Sequence, residues 1–281
     1  MSAAASRPAA AGNVAAPAPE RVIALPGLHN LRDLGGYATA AGGAIPWRRL
    51  LRADSPHRLD RAGAAGLEAE GLGTVVDLRT AAELSEAPNP FAARPTVTYA
   101  HLPVFDALAP ATLAARGGQE PLAAFYRDML DHRHEALREI LIVIAGARPG
   151  AVLFHCTAGK DRTGLIAALL LGLADVAPED ILADYAMTEA LIAPLVAEFL
   201  AAARARGGDT VAYARLLRAP ATTMEATLDH LGRRYGGVRG YLRHIGLPAG
   251  DIAALEDRLR AADPDDRPPT TPTRAPAGSR R

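Results

Sequence analysis

A chain of 281 residues with 31 basic and 31 acidic side chains has no bulk field with which to hold a nucleic acid, so any anion it binds is held at a local site. Its 49% hydrophobic content is ordinary for a globular domain and supplies a sizeable core. One cysteine excludes an internal disulfide and suits a reducing compartment, and without a signal-like apolar run or a membrane-length window the expected location is the cytoplasm.

Residues 1–20 and 264–281 are rich in Pro, Ala, Thr and Arg and are expected to be disordered arms on one domain of residues 21–263. Within it, β-branched apolar runs at 74–79, 96–104 and 151–156 predict buried strands, with weaker candidates near Val22 and Leu50. Leu122, Phe125, Tyr126, Met129 and Leu130 recur at helical spacing and read as a core-facing stripe. His132 and His134 in "DHRHE" lack metal-ligand spacing and read as a solvated helix face, so no metal is expected. The apolar run after residue 164 predicts a buried helix, Pro178 with Glu179 and Asp180 predicts the next helix start, and the remainder is helical. Strands alternating with helices, then a run of helices, predict an α/β domain with a partly parallel central sheet and a ligand site beyond the strand C-termini.

The segment "HCTAGKDRTG", residues 155–164, joins the last strand to the buried helix and holds both the single cysteine, Cys156, and the single lysine, Lys160. A strand-to-helix turn presents unpaired backbone N–H groups and the positive end of the helix dipole, so Thr157, Ala158, Gly159, Lys160, Asp161 and Arg162 are candidate phosphate-binding residues. A cysteine in such a nest is expected to ionise readily. Arg162, separated from Cys156 by five residues, offers a guanidinium fork for two phosphate oxygens. A nucleotide-binding loop is excluded, because Phe154 stands where its first glycine belongs and Asp161 where its Ser or Thr belongs.

This loop resembles the signature of the cysteine-dependent protein tyrosine phosphatases, and more narrowly the bacterial tyrosine phosphatase family typified by mycobacterial protein tyrosine phosphatase B. "LPGLHNLRDLGGY" (25–37), "VVDLRTAAEL" (75–84) and "YGGVRGYLRHIGL" (235–247) are similar to further motifs of that family, while 107–121 and 187–217 depart from it. The resemblance implies a phosphatase-like fold, a mostly parallel sheet flanked by helices, with residues 187–225 as a helical, lid-like insertion. It implies hydrolysis of phosphotyrosine without a cofactor, with Cys156 as nucleophile of a cysteinyl-phosphate and Arg162 stabilising the transition state. Asp161 is the acid that the resemblance favours; Asp77, at the end of its strand, is the alternative, with a structural partnership to Arg79 as its other reading. Thr163 is expected to donate to the sulfur or to cap the helix, and His155 to orient the loop. Arg32 and Asp33 are expected beneath the loop, with Gly35 and Gly36 in a turn. Lys160 is expected at the pocket rim as a second point charge, similar to lipid phosphatases. Phosphotyrosine proteins are therefore the expected substrates, with phosphoinositides and transient contact with a membrane surface, or a silent phosphate-binding module, as alternatives.

Overall fold

The structure, a computed structural model of the chain, describes residues 21–105 and 121–260. The arms expected at 1–20 and 264–281, and most of the divergent 107–121 segment, lie outside the described residues. Strands β1 (Arg32–Asp33) and β2 (Leu50–Ala53) lead to helix α1 (Arg61–Ala69), β3 (Leu72–Asp77), α2 (Ala81–Glu86) and β4 (Thr98–His101). Helices α3 (Pro121–His132) and α4 (His134–Ala145) precede β5 (Ala151–His155), which feeds α5 (Asp161–Leu173). Then come α6 (Pro178–Leu191), α7 (Ala193–Ala205), α8 (Thr210–Leu217), α9 (Ala221–Tyr235), α10 (Val238–His244) and α11 (Ala249–Leu259).

The strands form one sheet in the order β1-β2-β5-β3-β4. Only the β1–β2 pairing is antiparallel; β2, β5, β3 and β4 run parallel, as helical crossovers require. The expected α/β fold with a mostly parallel sheet is thus the one observed. The expected strand near Val22 is reduced to an isolated bridge with Arg32.

β5 is central and buried on both faces. Val152 and Phe154 join the larger core with α3, α4 and α5, whereas Ala151 and Leu153 point to the smaller core beneath α1. That alternation follows from the period of two along a strand. The stripe Leu122, Phe125, Tyr126, Met129 and Leu130 lies in α3 and faces the larger core as expected. α5 is apolar nearly all round and accordingly buried nearly all round, from Arg162 to Leu171 and again at Leu173. Among the described residues, no single helix is long and apolar enough to cross a membrane.

Because β2, β5, β3 and β4 are parallel, their C-termini open at one edge. Ala53, His155 and Asp77 stand in register there, so the loops after β2, β5 and β3 converge. The α7–α8 hairpin turns through "RGGD" (206–209) and lies against this edge, tied by Arg58 to Glu198 and by Arg206 to Glu86 at 2.9 Å.

Candidate active site

Residues 156–160 leave β5 and curl into α5, and the curl depends on Gly159. Its φ is +67°, and a Cβ there would sit 2.3 Å from Ala53 O, so neither the conformation nor the space admits another residue. The polar groups of the loop are sorted by direction. Thr157 O accepts from Ser55 N at 3.0 Å, Ala158 O from Asn30 Nδ2 at 2.9 Å, and Gly159 O from Asn30 Nδ2 at 3.0 Å and Arg52 Nη2 at 2.8 Å. The N–H groups of residues 157–163, by contrast, donate to no other residue among those described. Carbonyls held outward by the body and amides left facing inward at a helix N-terminus make a nest for an anion.

What holds the carbonyls is a buried ionic cluster. Asp184 of α6 accepts from Arg32 Nε at 2.9 Å and from Arg52 Nη1, while Arg32 also donates to Asn30 Oδ1. All four side chains are buried. Burial alone would raise the Asp184 carboxyl, yet the two guanidiniums bring it down to about 2. Asn30 and Arg52 touch the loop in place of Arg32, which holds Asn30 directly and Arg52 through Asp184. Asp33 is likewise not under the loop. Its oxygens accept from Gly35 N and Arg48 N, both at 2.7 Å, and build the Gly35–Gly36 turn, with burial pushing the carboxyl up to about 6 against those bonds.

Cys156 heads the nest and is buried and unpaired. At the far end Arg162 donates to both oxygens of Glu83, Nη1 to Oε2 at 2.7 Å and Nη2 to Oε1 at 2.8 Å, with its Cζ 5.2 Å from the Phe105 ring. Burial opposes the Arg162 charge, but Cys156, Glu83 and Asp161 hold it above the usual arginine range. Glu83 is the residue sequence reasoning passed over. It closes the capping box of α2 with Thr80, its Oε2 accepting from Thr80 N at 2.8 Å, and its Oε1 also accepts from Thr157 Oγ1. The T-x-x-E pattern was legible as a helix start; that the same carboxylate reaches Arg162 was not. Burial would raise Glu83, yet the Arg162 fork brings it down to about 2.

Asp77 is corrected by the structure. Its carboxylate is fully buried and accepts from Arg79 Nε at 2.9 Å and Nη2 at 2.7 Å, Asn89 Nδ2 at 3.0 Å and the Tyr99 hydroxyl at 3.0 Å. Burial works for the proton, but His155, Arg79 and Asn89 outweigh it and hold Asp77 far below the usual carboxylate range. The carboxylate is thus engaged by Arg79, Asn89 and Tyr99, as the structural reading of Asp77 expects for Arg79.

Lys160 is corrected as well. It is 1% exposed, not at the rim, and its Nζ donates to Leu216 O and, at 3.0 Å, to Arg218 O at the end of α8, with Asp161 Oδ1 at 3.3 Å. Its charge caps helix carbonyls and pins the α7–α8 hairpin. Thr163 Oγ1 is buried with no hydrogen-bond partner among the described residues, neither sulfur nor helix end; Lys160 is the N-cap position of α5 and caps it with no side-chain bond. Asp161, with its side chain 25% exposed, is the carboxylate that remains beside the nest.

His155 lies beneath, accepting from Asn89 Nδ2 on Nε2 at 2.9 Å and donating from Nδ1 to Cys156 O at 3.2 Å, a network that assigns the neutral ring. Burial brings the imidazole down to about 4 despite Asp77. Its folded value lies below the ordinary 6.5, so its contribution to stability is present above pH 6.5 and is lost as pH falls toward 4. Urea unfolding at pH 7 and pH 5 is expected to show His155→Gln losing roughly 2 kcal/mol less than wild type over that drop. Equal losses would mean that the ring is not held neutral.

His132 is exposed beside Asp128, while His134 packs edge-on against Tyr241 and His244, so the pair does not converge. Among the described residues no group of three His, Cys, Asp or Glu side chains is placed to hold a metal ion.

A thiol at the head of an amide nest and a fixed guanidinium at its far end are what phosphoryl transfer through a cysteine requires, and the fold and site define that class of phosphatase. Residues 23–261 match the model of the tyrosine phosphatase family, and the chain belongs to that family of protein-tyrosine phosphatases. A tyrosine-protein phosphatase of Nostoc commune is 33% identical over 225 residues, covering 78% of this chain and 76% of its own. The triple specificity protein phosphatase of Mycobacterium tuberculosis is 29% identical over 278 residues, covering 84% of this chain and 98% of its own. Among solved structures, P. aeruginosa TpbA in complex with pTyr is 19% identical with a TM-score of 0.27, over 50% of this chain and 71% of its own.

Proposed function

We propose that this protein-tyrosine phosphatase hydrolyses phosphotyrosine in proteins through a cysteinyl-phosphate, with Asp161 as its general acid and base. The observation that carries the reading is the division of the loop, carbonyls outward onto Asn30, Arg52 and Ser55 and amides inward, with Cys156 and Arg162 at its two ends. In the first step the Cys156 thiolate forms an S–P bond as the P–O bond to the phenol breaks. The leaving oxygen takes the electron pair and a proton from Asp161. In the second step water attacks phosphorus, its proton passes to the Asp161 carboxylate, and the thiolate departs. The inward amides and Arg162 meet the equatorial oxygens in both steps, where positioning and charge supply most of the acceleration. The chemistry requires a reducing compartment that keeps Cys156 a thiol.

Of the two features that favour phosphoinositides, Lys160 and the apolar helical segment 187–225, Lys160 is not at the rim but buried against α8. Phosphotyrosine is therefore the substrate class favoured. One relative is named a triple specificity phosphatase, so the test is phosphate release from phosphotyrosine, phosphoserine and phosphothreonine peptides and from phosphoinositide vesicles. Phosphotyrosine peptides are expected to turn over fastest; preference for the vesicles would replace this reading with the lipid one. Asp161→Asn is expected to lower kcat/KM, which reports the first step, on phenyl phosphate by on the order of 100-fold or more while sparing kcat/KM on p-nitrophenyl phosphate, whose leaving group needs little protonation. Equal losses on both would remove the acid role.

A further inference from the structure

Asp161 is held from outside its own loop. Its Oδ1 accepts from the Tyr126 hydroxyl at 2.8 Å, and the Tyr126 and Tyr185 hydroxyls are 2.9 Å apart. Tyr126 comes from α3 and Tyr185 from α6; both are buried, and their rings meet edge to face with centroids 6.0 Å apart. Each phenol has one proton to give. The carboxylate is the strongest acceptor in the row, so Tyr126 donates to Asp161 and Tyr185 to Tyr126. Burial pushes both phenols well above the usual tyrosine range, so both stay donors. Lys160 Nζ lies 3.3 Å from the same Oδ1. Oδ2 accepts no hydrogen bond among the described residues.

Packing alone does not explain the row. Phenylalanine would fill the same ring volumes without burying two hydroxyls, and buried hydroxyls are retained at a cost unless each finds a partner. Here both hydroxyl protons find an acceptor only because Asp161 closes the chain.

We propose that Tyr126, backed by Tyr185, is a positioning residue that keeps Oδ1 of Asp161 a permanent acceptor, so that the transferable proton resides on Oδ2. A proton on Oδ1 would face two donors, the Tyr126 hydroxyl and the Lys160 ammonium, and is disfavoured by that repulsion. In the first step the Oδ2–H bond breaks as the proton joins the leaving phenol oxygen; in the second, Oδ2 takes the proton released by the attacking water. Oδ1 stays under Tyr126 throughout, so the carboxylate does not rotate between steps. This rests on the reading of Asp161 as the acid.

The test compares wild type, Tyr126→Phe, Asp161→Asn and the double variant on aryl phosphates from p-nitrophenyl to phenyl, with vanadate inhibition and thermal melting alongside. Tyr126→Phe is expected to lower kcat/KM, which reports the first step, on phenyl phosphate by roughly 10- to 100-fold and on p-nitrophenyl phosphate by about 3-fold or less, with vanadate affinity unchanged. Added to Asp161→Asn, it is expected to cost nothing further, because it acts through the group already removed. Tyr185→Phe is expected to give a smaller loss of the same leaving-group dependence, and carries the test if Tyr126→Phe does not fold. If Asp161→Asn shows the steep dependence and the tyrosine variants behave as wild type, the positioning role is overturned and the acid survives. A uniform loss on all substrates with weakened vanadate binding makes the tyrosines structural and also overturns it. If Asp161→Asn itself shows no leaving-group dependence, acid and positioning role fall together.

Discussion

Cys156→Ser is expected to abolish turnover of every aryl phosphate, lowering kcat by on the order of 10⁵-fold or more, while inorganic phosphate still binds. The two parts of this result have separate causes. Binding belongs to the inward amides and Arg162, and the carbonyl braces Asn30, Arg52 and Ser55 touch neither the sulfur nor anything serine would displace. Turnover belongs to the sulfur of Cys156, the atom that bonds to phosphorus. A serine hydroxyl needs a base to take its proton, and the adjacent imidazole is not one. His155 Nδ1 donates to the Cys156 carbonyl and Nε2 accepts from Asn89, so neither nitrogen faces the nucleophile. Stopped assays with phosphotyrosine peptide measure the first part and isothermal titration with phosphate the second. Residual turnover within about 100-fold of wild type would mean that water, not Cys156, attacks phosphorus.

The second large effect is at Arg162. Arg162→Lys keeps the positive charge and is nevertheless expected to lower kcat by roughly 10³-fold or more, because the planar fork is lost. In the native arrangement one guanidinium spans both Glu83 oxygens, at 2.7 and 2.8 Å, and Glu83 in turn caps α2. A lysine ammonium makes no such pair, so its position is set neither by Glu83 nor by phosphate, and Glu83 loses the partner that brings it down to about 2. Vanadate, which mimics the five-coordinate transition state, is expected to lose far more affinity than inorganic phosphate. Equal losses for the two would make Arg162 a uniform anion binder rather than a stabiliser of the transition state.

What the sequence determined by itself is the part of the site whose residues are neighbours in the chain. Cys156, Gly159, Asp161 and Arg162 are placed by one strand-to-helix turn, and local spacing is enough to recognise it. The α/β layering was equally legible, because periods of 2 and 3.6 in apolar residues report burial directly. Tertiary structure decided everything that depends on who arrives from elsewhere. Lys160 looked like a rim charge until the end of α8 brought two carbonyls to it, and Asp77 looked like a spare acid until Arg79, Asn89 and Tyr99 occupied it. Asn30 stands in the 25–37 motif, but its bond to a loop 128 residues away has no local signature. Tyr126 was one member of a core-facing stripe, and only the approach of α5 and α6 gives its hydroxyl a partner. A side chain's type and its nearest neighbours set what it is able to do; which donors and acceptors close around it is settled by long-range packing, and in a buried site that closure decides its charge and its role.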